Sequence, residues 1–336
     1  MPGSDAIRAA AEDRLVVYSA AEKQHCADLI AGFSRRHPGI ALEFRDGISV
    51  ALHQRYQAEI ASGQPEADVL WSSAMDLQMN LVLDGNALAY ASPEARALPA
   101  SAIYRDLAYA TTLEPLLTLV NRDCFEVSVA AGSLAEIAAA IGRDPGKFHG
   151  RVASYDIERN GLGFLALLLE GRRSADFGAC MQTLARCKPK IFGSNPPLVE
   201  EVASGRAALA YHVLGSYALR AVASNPSLAV AASNTPALAV SRVAFVSSRA
   251  PHPNAAKLFL DYLLSRDGQE RLLEAGLFPI RRNADAVPPG SGDVSPIRID
   301  QGCGELLETG YRRELLQLWR ATIAGADASA GISIRS

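Results

Sequence analysis

The chain has 336 residues, of which 49% are hydrophobic and 21% are charged, and these values exclude a largely disordered polypeptide. The 33 lysine and arginine residues nearly balance the 36 aspartate and glutamate residues, so a net charge of −3 offers no general attraction to nucleic acid or to an anionic membrane. The length suggests two domains or one large one. No apolar run approaches the roughly 20 residues that a membrane-spanning helix needs. Residues 1–13 lack a basic segment followed by an apolar one, so we expect no intact signal peptide.

The first 90 residues alternate short apolar strands with amphipathic helices. Strands are predicted at residues 15–18, 41–44 and 68–71. The first strand is followed by apolar residues three or four positions apart, which is typical of one helix face: Cys26, Leu29, Ile30 and Phe33. Similar spacing follows the second and third strands, and the third helix is expected to end near Leu83. This alternation predicts an α/β fold with a largely parallel sheet.

The middle of the chain repeats the pattern. Ser133 and Glu136 stand three residues apart, as in a capping box at a helix start. Strands are predicted at residues 151–155 and 207–211, and a helix at 161–171. A capping side chain from Ser194, followed by prolines, predicts another helix start at residues 194–197. Two long extended segments, residues 111–121 and 237–247, divide the α/β material into outer and middle portions.

One glycine motif is compatible with an enzyme that binds a dinucleotide. Gly161, Gly163 and Ala166 match the GxGxxA pattern, whose glycines let pyrophosphate approach a helix N-terminus. Because residues 156–160 separate the predicted strand from the first glycine, a helix start that holds some other anion is the plainer interpretation. The 6 histidines and 5 cysteines show no metal-ligand spacing, and the thiols are expected in the core. The sequence therefore predicts no catalysis and no cofactor.

Residues 253–270 form the most specific stretch of the sequence. They predict a helix capped by Asn254 and then a second short helix, and the inward-facing residues are expected to be Phe259, Leu260, Leu263 and Leu264. This stretch closely resembles a segment of the periplasmic solute-binding proteins of ABC importers, in the ferric-iron-binding-like branch. Residues 15–20, 37–40 and 67–71 agree with that family, and the resemblance extends from Arg14 to Arg282. Residues 297–323, with Trp319, resemble the C-terminal helix of longer members.

The resemblance implies a type II periplasmic-binding-protein fold, in which two α/β lobes, each a mainly parallel sheet flanked by helices, enclose a ligand cleft. The two crossover strands between the lobes would be the segments near Thr111 and Ala237. Lobe 1 would comprise residues 14–113 and 241–283, lobe 2 residues 114–240, and a C-terminal helix at about 305–323 would pack on lobe 2. The family also implies hinge closure on a ligand and docking to a membrane permease, without chemistry. We expect a monomer in the periplasm with no nucleic-acid partner.

The ligand that gives the branch its name is ferric iron, which the resemblance implies is held largely by two adjacent tyrosines in the second lobe. In the matching region, Ser216 precedes Tyr217, and the chain contains no Tyr-Tyr dipeptide. Tyr217 is therefore the one candidate iron ligand, and no other metal site is predicted. Hard cations prefer charged oxygen donors, so the missing phenolate should weaken ferric binding. We expect an anionic organic solute, with a phosphorylated or phosphonate compound favoured, a carboxylate next, and ferric iron as the alternative.

The predicted ligand contacts stand at strand-to-helix turns, where open α/β sheets collect ligands. Small hydroxyls there, with Arg159 and Asn160, suit a phosphate or carboxylate because helix N-termini attract anions. Each serine can instead be only a helix cap, His212 a core or surface histidine, and Trp71 either a stacking wall or a core residue. The predicted contacts are Ser19, Ser49, Trp71, Ser72 and Ser73 in the first lobe, and Tyr155, Arg159, Asn160, Gly161, Ser194, Asn195, Tyr211, His212 and Tyr217 in the second.

Overall fold

The computed structural model describes residues 11–281, 294–306 and 309–323. Residues 1–10, which hold most of the segment considered for a signal peptide, lie outside the described residues. The described chain divides into two units. Unit 1 contains residues 11–113, 240–281 and 297–305, and unit 2 contains residues 114–239, 294–296, 306 and 309–323.

Strands and helices alternate along both units. The strands are β1 (Arg14–Ser19), β2 (Ala41–Asp46), β3 (Val69–Ser72), β4 (Ile103–Tyr104), β5 (Ala108–Ala110), β6 (Glu114–Asn121), β7 (Val152–Tyr155), β8 (Lys190–Phe192), β9 (Leu209–Leu214), β10 (Leu228–Val230), β11 (Ala237–Val240), β12 (Val243–Val246) and β13 (Val294–Pro296). The helices are α1 (Ala27–Arg36), α2 (Ser49–Ser62), α3 (Met75–Leu81), α4 (Leu134–Arg143), α5 (Pro145–Phe148), α6 (Gly161–Arg173), α7 (Phe177–Arg186), α8 (Asn195–Ala203), α9 (Gly215–Ser224), α10 (Pro253–Leu264), α11 (Arg266–Glu274), α12 (Gln301–Glu305) and α13 (Thr309–Thr322).

The sheet of unit 1 has the strand order β2-β1-β3-β12-β5-β4. Strand β1 pairs in parallel with β2 and β3, whereas β12 runs antiparallel to β3 and β5. Each of the first three strands is followed by a helix, so the alternation predicted for the first 90 residues is confirmed. Helix α1 buries Leu29 and Phe33, and α2 buries Tyr56, because these residues recur on one helix face.

The sheet of unit 2 has the strand order β13-β11-β6-β9-β7-β8, and β10 also pairs with β6, at residues 119–121. Strands β9, β7 and β8 are neighbours and run parallel, while β6 runs antiparallel to β9. Each of these three parallel strands is followed directly by a helix, namely α9, α6 and α8. The predicted α/β fold, with two helix-flanked sheets, is confirmed.

The two extended segments predicted from the sequence are strands for most of their length. The first contains β6, and the second contains β11 and β12, which are separated at Ser241 and Arg242. Within unit 1, the Thr111 N–H donates to the Arg242 carbonyl at 2.9 Å, and the Arg242 N–H donates to Thr112 Oγ1 at 2.9 Å. These bonds satisfy the backbone at the break between the two strands.

Strand β9 differs from its prediction. It begins at Leu209 and ends at Leu214, three residues beyond the predicted end at residue 211. Its register against β6 shifts between Leu117 and Leu119, and His212 has a φ of 58°, in the left-handed region that L-residues rarely adopt. A bulge of this kind depends on pairing with a strand that is distant in sequence, so local apolar spacing does not reveal it.

The structure confirms one of the three predicted helix caps. The capping box of Ser133 and Glu136 is confirmed, with both reciprocal bonds present. The helix predicted near Ser194 is present, but the prediction that the Ser194 side chain caps it is wrong, because this serine stands at the N-cap without a side-chain hydrogen bond. The prediction that Asn254 caps its helix is also wrong. Asn254 lies inside α10, which begins one residue earlier at Pro253.

The C-terminal region contains two described helices. Helix α12 packs against α3 of unit 1, and α13 packs against α7 of unit 2. A Cβ atom at Gly304 would lie 3.2 Å from the backbone carbonyl carbon of Met79 in α3, so the lack of a side chain favours this first contact. All 5 cysteines are free thiols, and four of them are buried as expected, whereas Cys124 is half-buried. In the described part of the chain, no helix is long and apolar enough to cross a membrane.

Candidate functional site

Three helix N-termini meet at one edge of the unit 2 sheet. Helices α6, α8 and α9 follow the neighbouring parallel strands β7, β8 and β9, so all three helices begin where these strands end. Unpaired backbone N–H groups at each helix start carry a partial positive charge. We name this edge the N-terminal cluster and define it by residues 156–161, 193–195 and 214–217.

Asn195 holds two strands of the N-terminal cluster to helix α8. Its Oδ1 atom accepts a hydrogen bond from the Tyr155 hydroxyl at 2.5 Å and another from the Leu214 N–H at 3.4 Å. Tyr155 ends β7, Leu214 ends β9, and Asn195 is the first residue of α8. One amide oxygen therefore fixes the ends of both strands against a helix start.

Asn160 joins the loop at residues 156–161 to the loop at residues 193–195. Its Oδ1 atom accepts the Gly163 N–H at 2.8 Å and caps α6, while its Nδ2 atom donates to the Gly193 carbonyl at 3.0 Å. The Asp156 N–H adds a bond of 2.8 Å to the Phe192 carbonyl. Gly163 lacks a side chain because a Cβ atom would collide with the Tyr155 ring. Close packing of α6 on β7 thus accounts for one glycine of the GxGxxA motif.

The cluster also holds four other polar side chains. The Arg159 side chain is exposed and forms no hydrogen bond or ion pair with any described residue. Ser194 is half-buried and its hydroxyl does not cap α8. Ser216, in the first turn of α9, is 2% exposed, and its Oγ atom has no hydrogen-bond partner among the described residues. Tyr217 follows it and is half-buried.

Ser216 was not predicted as an organic-ligand contact, because the apolar pattern indicated that the preceding strand ends at residue 211. The strand ends at Leu214, so the strand-to-helix turn falls at residues 214–216. Tyr211 and His212 consequently lie within β9 and not at its end. Tyr211 is buried, and desolvation raises its pKa well above the ordinary tyrosine value.

His212 is not brought to the N-terminal cluster. It lines a pocket with Glu170 and Arg173, which belong to the last turns of α6. Gly161 begins the same helix, and nine residues of helix span roughly 13 Å. His212 and the cluster therefore lie toward opposite ends of α6.

In unit 1, the predicted serines occupy the ends of adjacent strands. Ser19 and Ser72 are buried, and their hydroxyls accept the N–H groups of Ala21 at 3.0 Å and Ala74 at 3.1 Å. These hydroxyls therefore stabilise local turns. Ser49 is the first residue of α2 and is half-buried, and Ser73 is buried in the turn before α3.

Trp71 has the environment of a core residue. Its side chain is fully buried, its Nε1 atom donates to Thr111 Oγ1 at 2.9 Å, and its ring packs edge-on against Phe44. A fully covered ring offers no face for stacking on a ligand. The sequence left two roles open for Trp71, a stacking wall or a core residue, and the structure supports the core residue.

The family model of bacterial extracellular solute-binding proteins matches residues 17–270. The chain belongs to this family. The resemblance to periplasmic solute-binding proteins of ABC importers is thereby confirmed. As a family member, the protein is the substrate-binding component of an ABC transporter, which binds a small ligand and works with a membrane permease. Solute-binding proteins are not enzymes, so the dinucleotide-dependent alternative is not retained.

Solved structures of several proteins share the fold of this chain. The substrate-binding protein of an ABC transporter from Agrobacterium tumefaciens is 26% identical, with a TM-score of 0.86 over 93% of this chain and 94% of that one. The periplasmic binding protein AfuA of Actinobacillus pleuropneumoniae, with fructose-6-phosphate bound, is 18% identical, with a TM-score of 0.77 over 93% and 98%. Iron-bound HitA of Pseudomonas aeruginosa is 18% identical, with a TM-score of 0.74 over 92% and 99%. The comparison with curated proteins gives no match.

Proposed function

We propose that this solute-binding protein captures a small anionic compound in the periplasm and delivers it to the permease of its ABC importer. A phosphorylated or phosphonate compound is the favoured ligand, and a carboxylate is next. We further propose that the protein works as a monomer. The observation that carries the ligand class is the convergence of three helix N-termini, from α6, α8 and α9, at one edge of the unit 2 sheet.

The polar groups of the N-terminal cluster support a phosphate or phosphonate group. Such a group presents three acceptor oxygens, and backbone N–H groups at helix starts donate to oxygens of this kind. Arg159 supplies a guanidinium, which pairs with phosphate through two parallel hydrogen bonds. The half-buried hydroxyl of Ser194 adds a small donor. Tyr155, Asn160 and Asn195 support this arrangement by fixing the three loops.

Two observations favour ferric iron as the second candidate. HitA, which shares the fold, is bound to iron, and Tyr217 offers a phenol at the start of α9. The chain contains no Tyr-Tyr dipeptide, however. Ser216 also stands where the ferric-binding family resemblance implies a second phenolate. A hydroxyl without charge is a weaker ligand for a hard cation.

Calorimetric titration with fructose 6-phosphate, a phosphonate, citrate and iron citrate tests the proposal. We expect a phosphate or phosphonate compound to bind one-to-one, and Arg159→Ala to weaken binding by about tenfold or more through loss of a charge-assisted pair. Arg186→Ala is the matched control, because Arg186 is an exposed arginine at the end of α7 in the same unit. Stoichiometric iron binding that is lost in Tyr217→Phe would instead establish the ferric alternative.

A further inference from the structure

The C-terminal helix α13 lies along α6, the helix that begins at residue 161 of the N-terminal cluster. At one end of α13, the centroid of the Tyr311 ring is 5.5 Å from the guanidinium carbon of Arg172, in the last turn of α6. At the other end, Arg320 Nε donates to Glu158 Oε1, in the loop that precedes α6. The two helices are therefore antiparallel, and the end of α13 reaches one of the three loops of the cluster.

Apolar packing holds α13 in this position independently of Arg320. Leu315, Leu318 and Trp319 are buried, and the helix packs against α7. The ion pair itself is open to solvent, with 61% of the Arg320 side chain and 39% of the Glu158 side chain exposed. Because an exposed ion pair contributes little to stability, the loss of Arg320 should leave the fold intact.

The ion pair determines which charges are free in the loop at residues 156–161. Glu158 and Arg159 are adjacent in sequence, and a free carboxylate beside a guanidinium can pair with it. In the structure, Glu158 is instead bound to Arg320, from 162 positions away. Arg159 is exposed and forms no hydrogen bond or ion pair with any described residue. A distant arginine thus compensates the carboxylate, and the Arg159 guanidinium stays free.

We propose that Arg320 is a positioning residue of the anion site, which holds and neutralises Glu158 and so leaves Arg159 to pair with the anion. This inference rests on the proposed function of the N-terminal cluster. Without Arg320, the Glu158 carboxylate would compete with the ligand for Arg159 and would repel a phosphate ester, which carries nearly two negative charges at neutral pH. For groups about 8 Å apart in water, this repulsion alone corresponds to about fivefold in affinity.

The two partners of the ion pair should have different effects on binding. Arg320→Ala leaves the carboxylate charge uncompensated and should weaken binding, whereas Glu158→Gln removes that charge and should leave affinity unchanged or raise it by up to about twofold. In the double variant Glu158→Gln/Arg320→Ala, affinity should return to within about twofold of wild type, because no carboxylate remains. If the pair had only a structural role, either substitution would break it, and both single variants would lose affinity alike.

Calorimetric titration with fructose 6-phosphate and with inorganic phosphate, at low ionic strength, tests these expectations. We expect Arg320→Ala to weaken binding by about fivefold, and Arg320→Lys, which keeps the charge, to stay within about twofold of wild type. Arg313→Ala is the matched control, because Arg313 is an exposed arginine on the same helix. The loss in Arg320→Ala should shrink at roughly 1 M salt, which screens exposed charges. Circular dichroism establishes that each variant retains the fold.

The titration distinguishes a failure of this inference from a failure of the proposed function. If binding depends on Arg159 but is unchanged in Arg320→Ala, or falls equally in Arg320→Ala and Glu158→Gln, the role of Arg320 is overturned and the anion site stands. If wild-type protein binds neither probe, or if Arg159→Ala binds as tightly as wild type, the anion site is overturned and the role of Arg320 with it.

Discussion

The Tyr155 hydroxyl donates a 2.5 Å hydrogen bond to Asn195 Oδ1, and this bond ties the end of β7 to the start of α8. Because the same oxygen accepts the Leu214 N–H, a single amide positions two of the three helix starts in the N-terminal cluster. The geometry of the proposed anion site therefore depends on a contact that need not touch the ligand.

Tyr155→Phe removes this hydroxyl and keeps the ring that packs on Gly163. We expect the free energy of unfolding to fall by about 1 kcal/mol, the usual net value of one hydrogen bond, and phosphate-ester affinity to fall with it. Urea denaturation and calorimetry measure the two effects. Tyr311→Phe, on α13 of the same unit, is the control. Unchanged affinity in a less stable Tyr155→Phe protein would contradict the positioning role.

Substitutions at Asn160 separate its two hydrogen bonds. Asn160→Asp keeps the acceptor for the Gly163 N–H but loses the donor to Gly193, and it adds a negative charge to the N-terminal cluster. We expect this variant to be less stable than wild type, because a carboxylate oxygen would face the Gly193 carbonyl in place of its donor, and to lose affinity for a phosphate ester. Asn160→Ala should lose about 1 kcal/mol of stability as well. Tighter anion binding by Asn160→Asp would contradict the proposed location of the site.

Glu12 caps helix α10 from the beginning of the described chain. Its carboxylate accepts the N–H groups of Asn254 at 3.0 Å and Ala255 at 2.8 Å. Glu12→Ala should lower the free energy of unfolding by about 1 kcal/mol through loss of the cap and of the favourable helix-dipole contact. The midpoint of urea denaturation measures this loss. Glu274→Ala, an exposed glutamate at the end of α11, should have a smaller effect.

The fold was largely predictable because each strand and helix has its own apolar spacing. The strands and helices of the first 90 residues and the helices at residues 253–274 follow such local patterns. The cap of α10 was not predictable, since Glu12 and Asn254 are 242 positions apart. A nearby asparagine offered a plausible local cap, and only the folded chain shows that a distant carboxylate replaces it.

The candidate site was only partly predictable for the same reason. The turns at residues 155–161 and 193–195 were identified from strand and helix boundaries, and the structure brings them together. The turn after β9 was misplaced because the β6–β9 bulge extends that strand to Leu214. His212 was therefore assigned to the same site, although its side chain lines a different pocket.

The ionisation of Glu170 makes the free energy of unfolding depend on pH. Burial raises its pKa, but the neighbouring His212 and Arg173 lower the pKa by a larger amount. The folded-state pKa therefore lies below the unfolded value. The stabilisation from the Glu170 carboxylate is therefore complete above the unfolded glutamate pKa of about 4.3, and it is lost as the pH falls through the lower folded-state pKa.

Urea denaturation at a series of pH values measures this effect in wild type and Glu170→Gln. We expect the stability difference between them to be largest near neutrality and to shrink as the solution becomes more acidic than the unfolded glutamate value. Glu200→Gln, an exposed position on α8, should show a smaller pH-dependent difference. A difference that grows on acidification would contradict the direction given for the Glu170 pKa.

Native mass spectrometry with metal analysis distinguishes an organic anion from iron as the ligand, on protein purified without added ligand and then exposed to fructose 6-phosphate or iron citrate. We expect one organic anion per chain, no stoichiometric iron, and loss of that anion in Arg159→Ala but not in Arg186→Ala. One tightly held iron per chain, retained in Arg159→Ala and lost in Tyr217→Phe, would contradict this expectation.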